Sequence, residues 1–286
     1  MSTQSVHLVL VLSLGLGGVA LGCGAASEDD PSTPGGGGAG MAAVPTTGTS
    51  SFTGMIVEST NDTPIDSNKL PLIVRALDNT TGMALPGKET MNDGSANVAF
   101  ADLPNPEVGF MVKGVKDQAI DTYTFNVESN SQAKLLRIVA KSSVLTVKTV
   151  ANVTLNPALG DLAGAVYWKN ASGVEEPVGC ATVAIDDGQG EIRYFASNNL
   201  PTTNVALPAA PNLEVRTATN KLNGKFFITG TALARHTITV MLNGMAIGSA
   251  SLPSFAGTAS TDGENAISLT DILVEGSANP TPADCK

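Results

Sequence analysis

The sequence predicts an all-β fold: two tandem β-sandwiches behind a leader and a flexible tether, with a short helix between the sandwiches allowed. Three observations predict it. From residue 52 onward, short stretches rich in Val, Ile, Phe and Thr recur between turn-forming residues, several alternating apolar and polar with period two. Aromatics are only 4% of the chain against an apolar fraction of 42%, a balance that suits small sandwiches closed by β-branched residues. Finally, the order of strands and turns runs twice. Thr53-Gly54 is answered by Ala163-Gly164, the Leu72 strand with its Asp-Asn-Thr-Thr-Gly turn by the Ala181 strand with Asp186-Asp187-Gly188, and Asp93-Gly94 by Asn223-Gly224.

Residues 1–22 form the leader. They carry no charged side chain, and Leu8 to Gly22 is an apolar run too short for a membrane-spanning helix, which needs about 20 residues, yet long enough for a secretory h-region. Small residues then precede a cysteine, and Val19-Ala20-Leu21-Gly22-Cys23 resembles the lipobox of bacterial lipoproteins. That resemblance implies that the Cys23 thiol accepts a diacylglyceryl group and becomes the new N-terminus. With Gly24 rather than Asp next in the chain, it also implies passage to the outer membrane, facing the periplasm or the cell surface. The other reading is an ordinary cleaved signal with Cys23 left as a structural thiol. Residues 23–51 are mostly Gly, Ala, Ser, Thr and Pro with a Gly35 to Gly38 run, too poor in apolar bulk to bury a core, and read as a flexible tether.

Residues 52–157 are expected to form the first sandwich, with strands at Thr53–Val57, Leu72–Leu77, Ala96–Phe100, Val108–Val112 and Tyr123–Val127. Turns are expected at Asp78–Gly82 and Asn92–Gly94. Lys134 to Leu155 allows both a strand, Leu135–Val139, and a helical face of Val144, Val147, Val150 and Ala151 before the Asn156-Pro157 break. Residues 158–276 form the second unit, with strands at Ala163–Trp168, Ala181–Ile185, Ile192–Phe195, Lys225–Ile228 and His236–Leu242. The last is joined through Asn243-Gly244, the strongest hairpin signal of the chain, to Met245–Gly248. Residues 277–286, with Pro280 and Pro282, read as an irregular tail.

The second unit resembles the carboxypeptidase regulatory-like domains, small sandwiches of the transthyretin (prealbumin-like) type. Gly164-Ala165-Val166, Pro177-Val178-Gly179-Cys180-Ala181-Thr182-Val183, the run Thr219 to Phe226 and His236-Thr237-Ile238-Thr239-Val240 carry the likeness. The first unit matches more loosely through Thr80-Thr81-Gly82, Asp93-Gly94 and Phe100 to Pro104. The resemblance implies Greek-key sandwiches and a binding or spacer role, with a leaning toward carbohydrate or envelope-protein contact.

Charge and chemistry narrow the function. A net charge of −10, with basic residues scattered singly from Lys69 onward, repels phosphate backbones, so no nucleic-acid partner is expected, and membrane contact must come through the lipid. Nucleophilic triads need an imidazole, and beyond the leader only His236 supplies one, in phase with Ile238, Val240 and Leu242 and so read as a packed or strand-end residue. The remaining cysteines and this histidine lie too far apart in sequence to suggest a zinc set, and no cofactor is expected. Asp186, Asp187 and Glu191 around Gly188 and Gly190 admit calcium, or simply a solvated hairpin turn. Tyr167 and Trp168, or Tyr194 and Phe195, sit on adjacent strand positions, so either one of each pair is displayed to a sugar ring or both are packed. Cys180 and Cys285 remain as an even pair in an oxidising compartment, bridged or left as free thiols. The expectation is a non-enzymatic, lipid-anchored envelope protein, with a carbohydrate-binding module and a hydrolase using carboxylates alone as rivals.

Overall fold

The computed structural model describes residues 48–59, 63–65, 71–92, 95–114, 119–154, 156–203, 214–257 and 266–285. The leader, Cys23, the tether as far as residue 47 and the Asp93-Gly94 turn lie outside them. The described chain is nearly all strand with one short helix. β1 (Thr49–Glu58), β2 (Leu72–Asp78), β3 (Ala84–Asn92), β4 (Asn97–Pro104), β5 (Glu107–Gly114), β6 (Ala119–Ile120), β7 (Thr122–Glu128) and β8 (Lys134–Ala140) precede the helix α1 (Lys141–Ala151). After it come β9 (Gly160–Lys169), β10 (Glu175–Pro177), β11 (Thr182–Ile185), β12 (Glu191–Tyr194), β13 (Lys225–Thr231), β14 (Arg235–Leu242), β15 (Met245–Pro253) and β16 (Ile267–Val274).

The strand pairing repeats. β1 runs antiparallel to β4 and parallel to β8, and β9 runs antiparallel to β13 and parallel to β16. The partner layer repeats too, as β2-β5-β7 in the first unit and β11-β14-β15 in the second. Thr53-Gly54 and Ala163-Gly164 therefore occupy matching strands, β1 and β9, and the Leu72 and Ala181 segments lead into matching β2 and β11. Sequence analysis did not single out two major strands. β3 carries Pro86, Gly87 and Lys88 with mostly exposed side chains, and β16 has its alternation broken by Asp271.

The two sandwiches are fused rather than merely strung together. β16, the last strand, pairs in parallel with β9 along its length and also with β7, from Ile267 opposite Thr122 to Leu269 opposite Thr124. The layer β3-β2-β5-β7 of the first unit thereby continues into β16-β9-β13-β12 of the second as one sheet, with β10 added on β9. A four-stranded sheet, β4-β1-β8-β6, and a three-stranded sheet, β11-β14-β15, complete the layers.

Side chains alternate across a strand, so the burial shows which face of the shared sheet each layer covers. Phe110, Val112 and Val74 join Phe52, Ile56, Phe100 and Leu136 in the first core. Met111 and Leu77 instead join a second core with Phe226, Ile228, Val183, Ile238 and Val240. Phe227, next to Phe226, faces a third cluster with Ile120, Val139, Ala151 and Val153, against which Val144 and Val147 of α1 pack. The four-stranded sheet and α1 thus lie on one face and the three-stranded sheet on the other. A sheet covered on both sides reads as a nearly unbroken buried run, as β9 and β13 do. The 134–155 ambiguity resolves as both elements: β8 passes directly into α1.

Where the units meet, Phe255 stacks on Tyr123 at 4.1 Å and lies 6.1 Å from Phe125. Burial pushes the Tyr123 phenol up to about 12, helped by the Asp121 charge and opposed by Arg75. The Asn79 side chain accepts from Asn126 N–H at 2.9 Å, and Asn126 donates on to Thr270 Oγ1 at 2.9 Å. Arg235 of the second unit donates to the Thr80 carbonyl at 2.8 Å and to the Asn79 carbonyl.

Candidate functional site

The end of the β11–β14 ladder is where titratable groups converge. Ile185 is the last residue of β11 and stands opposite Ile238, so Asp186 emerges beside Thr237 and one residue from His236. The turn that follows is built by its side chains. Asp186 Oδ2 accepts from Thr237 N–H at 2.9 Å, Asp186 Oδ1 from Asp187 N–H at 3.0 Å, and Asp187 Oδ1 from Gln189 N–H at 2.9 Å, an Asx turn. Gly190 takes φ 96°, where a Cβ would meet Thr229 O at 2.9 Å, so only glycine lets the turn close onto β13. Burial pushes the Asp186 carboxyl up, but the N–H of Thr237, the His236 ring and the N–H of Asp187 outweigh it and hold the group below the usual carboxylate range.

His236 is 2% exposed, in phase with Ile238, Val240 and Leu242 as its alternation requires. Its Nε2 lies 2.8 Å from the Ala232 carbonyl oxygen, while Nδ1 faces Asp186 Oδ1 at 3.4 Å and Asp187 Oδ2 at 3.5 Å. Ligand atoms of Asp186, Asp187 and His236 all lie within 4.8 Å of one another. Glu191, grouped with the two aspartates by sequence, is not part of this cluster. It begins β12 and pairs with Arg193 Nη2 at 3.1 Å. Sequence analysis saw the aspartates and the histidine but not their meeting.

The other residues singled out by sequence are placed as follows. Cys180 and Cys285 form a disulfide with Cα atoms 5.7 Å apart. The tail around it is docked without being a strand: Gly179 N–H donates to Thr281 Oγ1 at 2.9 Å, and Trp168 Nε1 donates to the Gly276 carbonyl at 2.9 Å. Tyr167 and Trp168 are both only 8% exposed, Tyr194 5% and Phe195 4%. The expectation that one of each pair could be displayed assumed a sheet with one wet face; this sheet is covered on both, so neither ring forms a platform. A shallow cleft between β7, β8 and β16 is lined by Asn126, Lys134, Arg137 and Asp271, one carboxylate among two cations rather than a carboxylate pair.

Among the described residues, fold and site together define an all-β body of two fused sandwiches with a polar cluster at a ladder end. No family model matches the sequence, and no curated protein matches it. Among solved structures, the chain is similar to GBS52, the minor pilin of Streptococcus agalactiae, at 10% identity and TM-score 0.23 over 83% of this chain and 100% of that one. It is similar to the shaft pilin SpaA of Lactobacillus rhamnosus GG at 10% identity and TM-score 0.22, over 80% of this chain and 99% of that one. The Bacillus anthracis TIE protein matches at 10% identity and TM-score 0.23 over 79% of this chain, which spans 34% of that protein.

Proposed function

We propose that this chain is a non-enzymatic, lipid-anchored cell-envelope protein in which two sandwiches, dividing near Pro157, serve as a stiff spacer or binding module for an envelope protein or glycan. Cys23 holds it to the outer membrane, and the Gly- and Pro-rich stretch behind it acts as the tether. The observation that carries the reading is the Cys180–Cys285 disulfide, since such bridges persist in oxidising compartments outside the cytosol. No helix among the described residues is long and apolar enough to cross a membrane. The shared sheet supports the spacer role, because bending one sandwich against the other would break β16 away from β7.

The test is the mass of the mature N-terminal peptide from the membrane fraction. A diacylglyceryl group on Cys23 is expected. An intact Met1 terminus on a soluble cytosolic product would overturn the proposal.

A further inference from the structure

We infer that Asp186, Asp187 and His236 form a binding site for a divalent transition-metal ion of the Zn2+ class at the end of the β11–β14 ladder. The site is independent of membrane attachment, and its ion differs from the calcium that the aspartates with Glu191 suggested.

The first support is the state of the imidazole. The Ala232 carbonyl, 2.8 Å from Nε2, can only accept, so Nε2 carries the hydrogen. In the neutral ring Nδ1 therefore presents its lone pair, inside a side chain that is 2% exposed. That nitrogen is aimed at two carboxylate oxygens, and the repulsion of a bare lone pair there is relieved by a cation placed between them.

The second support is spacing. Nδ1 stands 3.4 and 3.5 Å from the two oxygens, longer than the roughly 2.7–2.9 Å of a charge-assisted hydrogen bond. With bonds of about 2.0–2.1 Å, neighbouring ligands of a tetrahedral ion are separated by about 3.4 Å. The two Nδ1–oxygen separations are those of ligands sharing an ion, and all three ligand atoms lie within 4.8 Å of one another.

The third support is outer-shell order. The Ala232 carbonyl holds the far nitrogen of the ring, as a backbone acceptor does behind metal-bound histidine. Thr237 and Gln189 N–H groups hold Asp186 Oδ2 and Asp187 Oδ1, so that Asp187 Oδ2 and Asp186 Oδ1, the latter also accepting from Asp187 N–H, face the ring. Imidazole with carboxylate favours Zn2+ over Ca2+, which takes six or more oxygens. The Asp186 and Asp187 side chains are 46% and 29% exposed, so the remaining coordination is open to water.

The experiment uses the mature protein, purified without a histidine tag and stripped with chelator, then titrated with Co2+ and Zn2+. Co2+ should develop the visible absorption of a four-coordinate site at one ion per chain, and Zn2+ but not Ca2+ should displace it and raise the melting temperature. Asp187→Asn, on the exposed turn and expected to fold, should weaken Zn2+ binding more than about tenfold, as should His236→Gln. Glu191→Gln should bind like the parent. Absence of both the Co2+ band and the Zn2+ shift in the parent protein overturns the inference, and so does a Glu191→Gln loss with Asp187→Asn unaffected.

Discussion

Gly164 shows how closely β9 and β16 approach: a Cβ there would stand 2.0 Å from the Thr270 carbonyl oxygen and 2.9 Å from Phe226 Cζ. Its counterpart Gly54 on β1 would place a Cβ 2.9 Å from the Lys134 carbonyl of β8, the matching parallel neighbour. Gly164→Ala should therefore lower stability by about 1–3 kcal/mol through overpacking, read as a lower urea midpoint at unchanged slope. Asp78 supplies a pH effect. Burial pushes its carboxyl up, but the Thr81 N–H and hydroxyl, the Thr80 N–H and the Arg235 charge together hold it below the usual range. A folded pKa below the unfolded one means that the group stabilises above about pH 4 and that this share fades as pH falls through the folded value. Parent and Asp78→Asn unfolding midpoints should thus differ at neutral pH and converge in acid. At this scale the sequence was informative about conformation and silent about contact. Asp186-Asp187-Gly188 could be read as a turn because its geometry is local, whereas its cluster with His236 joins residues 50 apart in the chain and needs the β11–β14 pairing to exist first.

At the scale of elements, the strands that show in sequence are those with one recognisable buried face, such as β14 with its strict alternation. β3 was missed because an edge strand need not bury either face, and β16 because it serves different neighbours along its length. Ile267 and Leu269 pack near α1, whereas Ile272 belongs to the opposite core. The helix was half legible, since Val144 and Val147 do face the core but the strand signal just before it gave no boundary. Two element-level outcomes follow. Reducing the Cys180–Cys285 bridge opens a loop with a sequence separation of 105 and should cost about 4–5 kcal/mol on the chain-entropy account, seen by comparing melts of the parent with a Cys180→Ser/Cys285→Ser variant. Phe255→Ala removes the ring stacked on Tyr123, and should cost about 3 kcal/mol, measured in the same way.

For the whole molecule, the repeat visible in sequence reappears in the strand pairing, but it did not show that a layer of one unit continues into a layer of the other as a single sheet. No local pattern encodes that fusion; it arises because the last strand enters between β9 and β7 and pairs with both. Its consequence is mechanical and cooperative. Met111, Leu77 and Phe125 from the first unit are buried among residues of the second, so neither unit can open without exposing apolar surface of the other. A body of this kind holds its two sandwiches at a fixed distance and orientation to each other. Scanning calorimetry of the mature, oxidised protein tests this most directly. The account predicts one transition whose calorimetric and van't Hoff enthalpies agree. Two separate transitions, one for each sandwich, would contradict it.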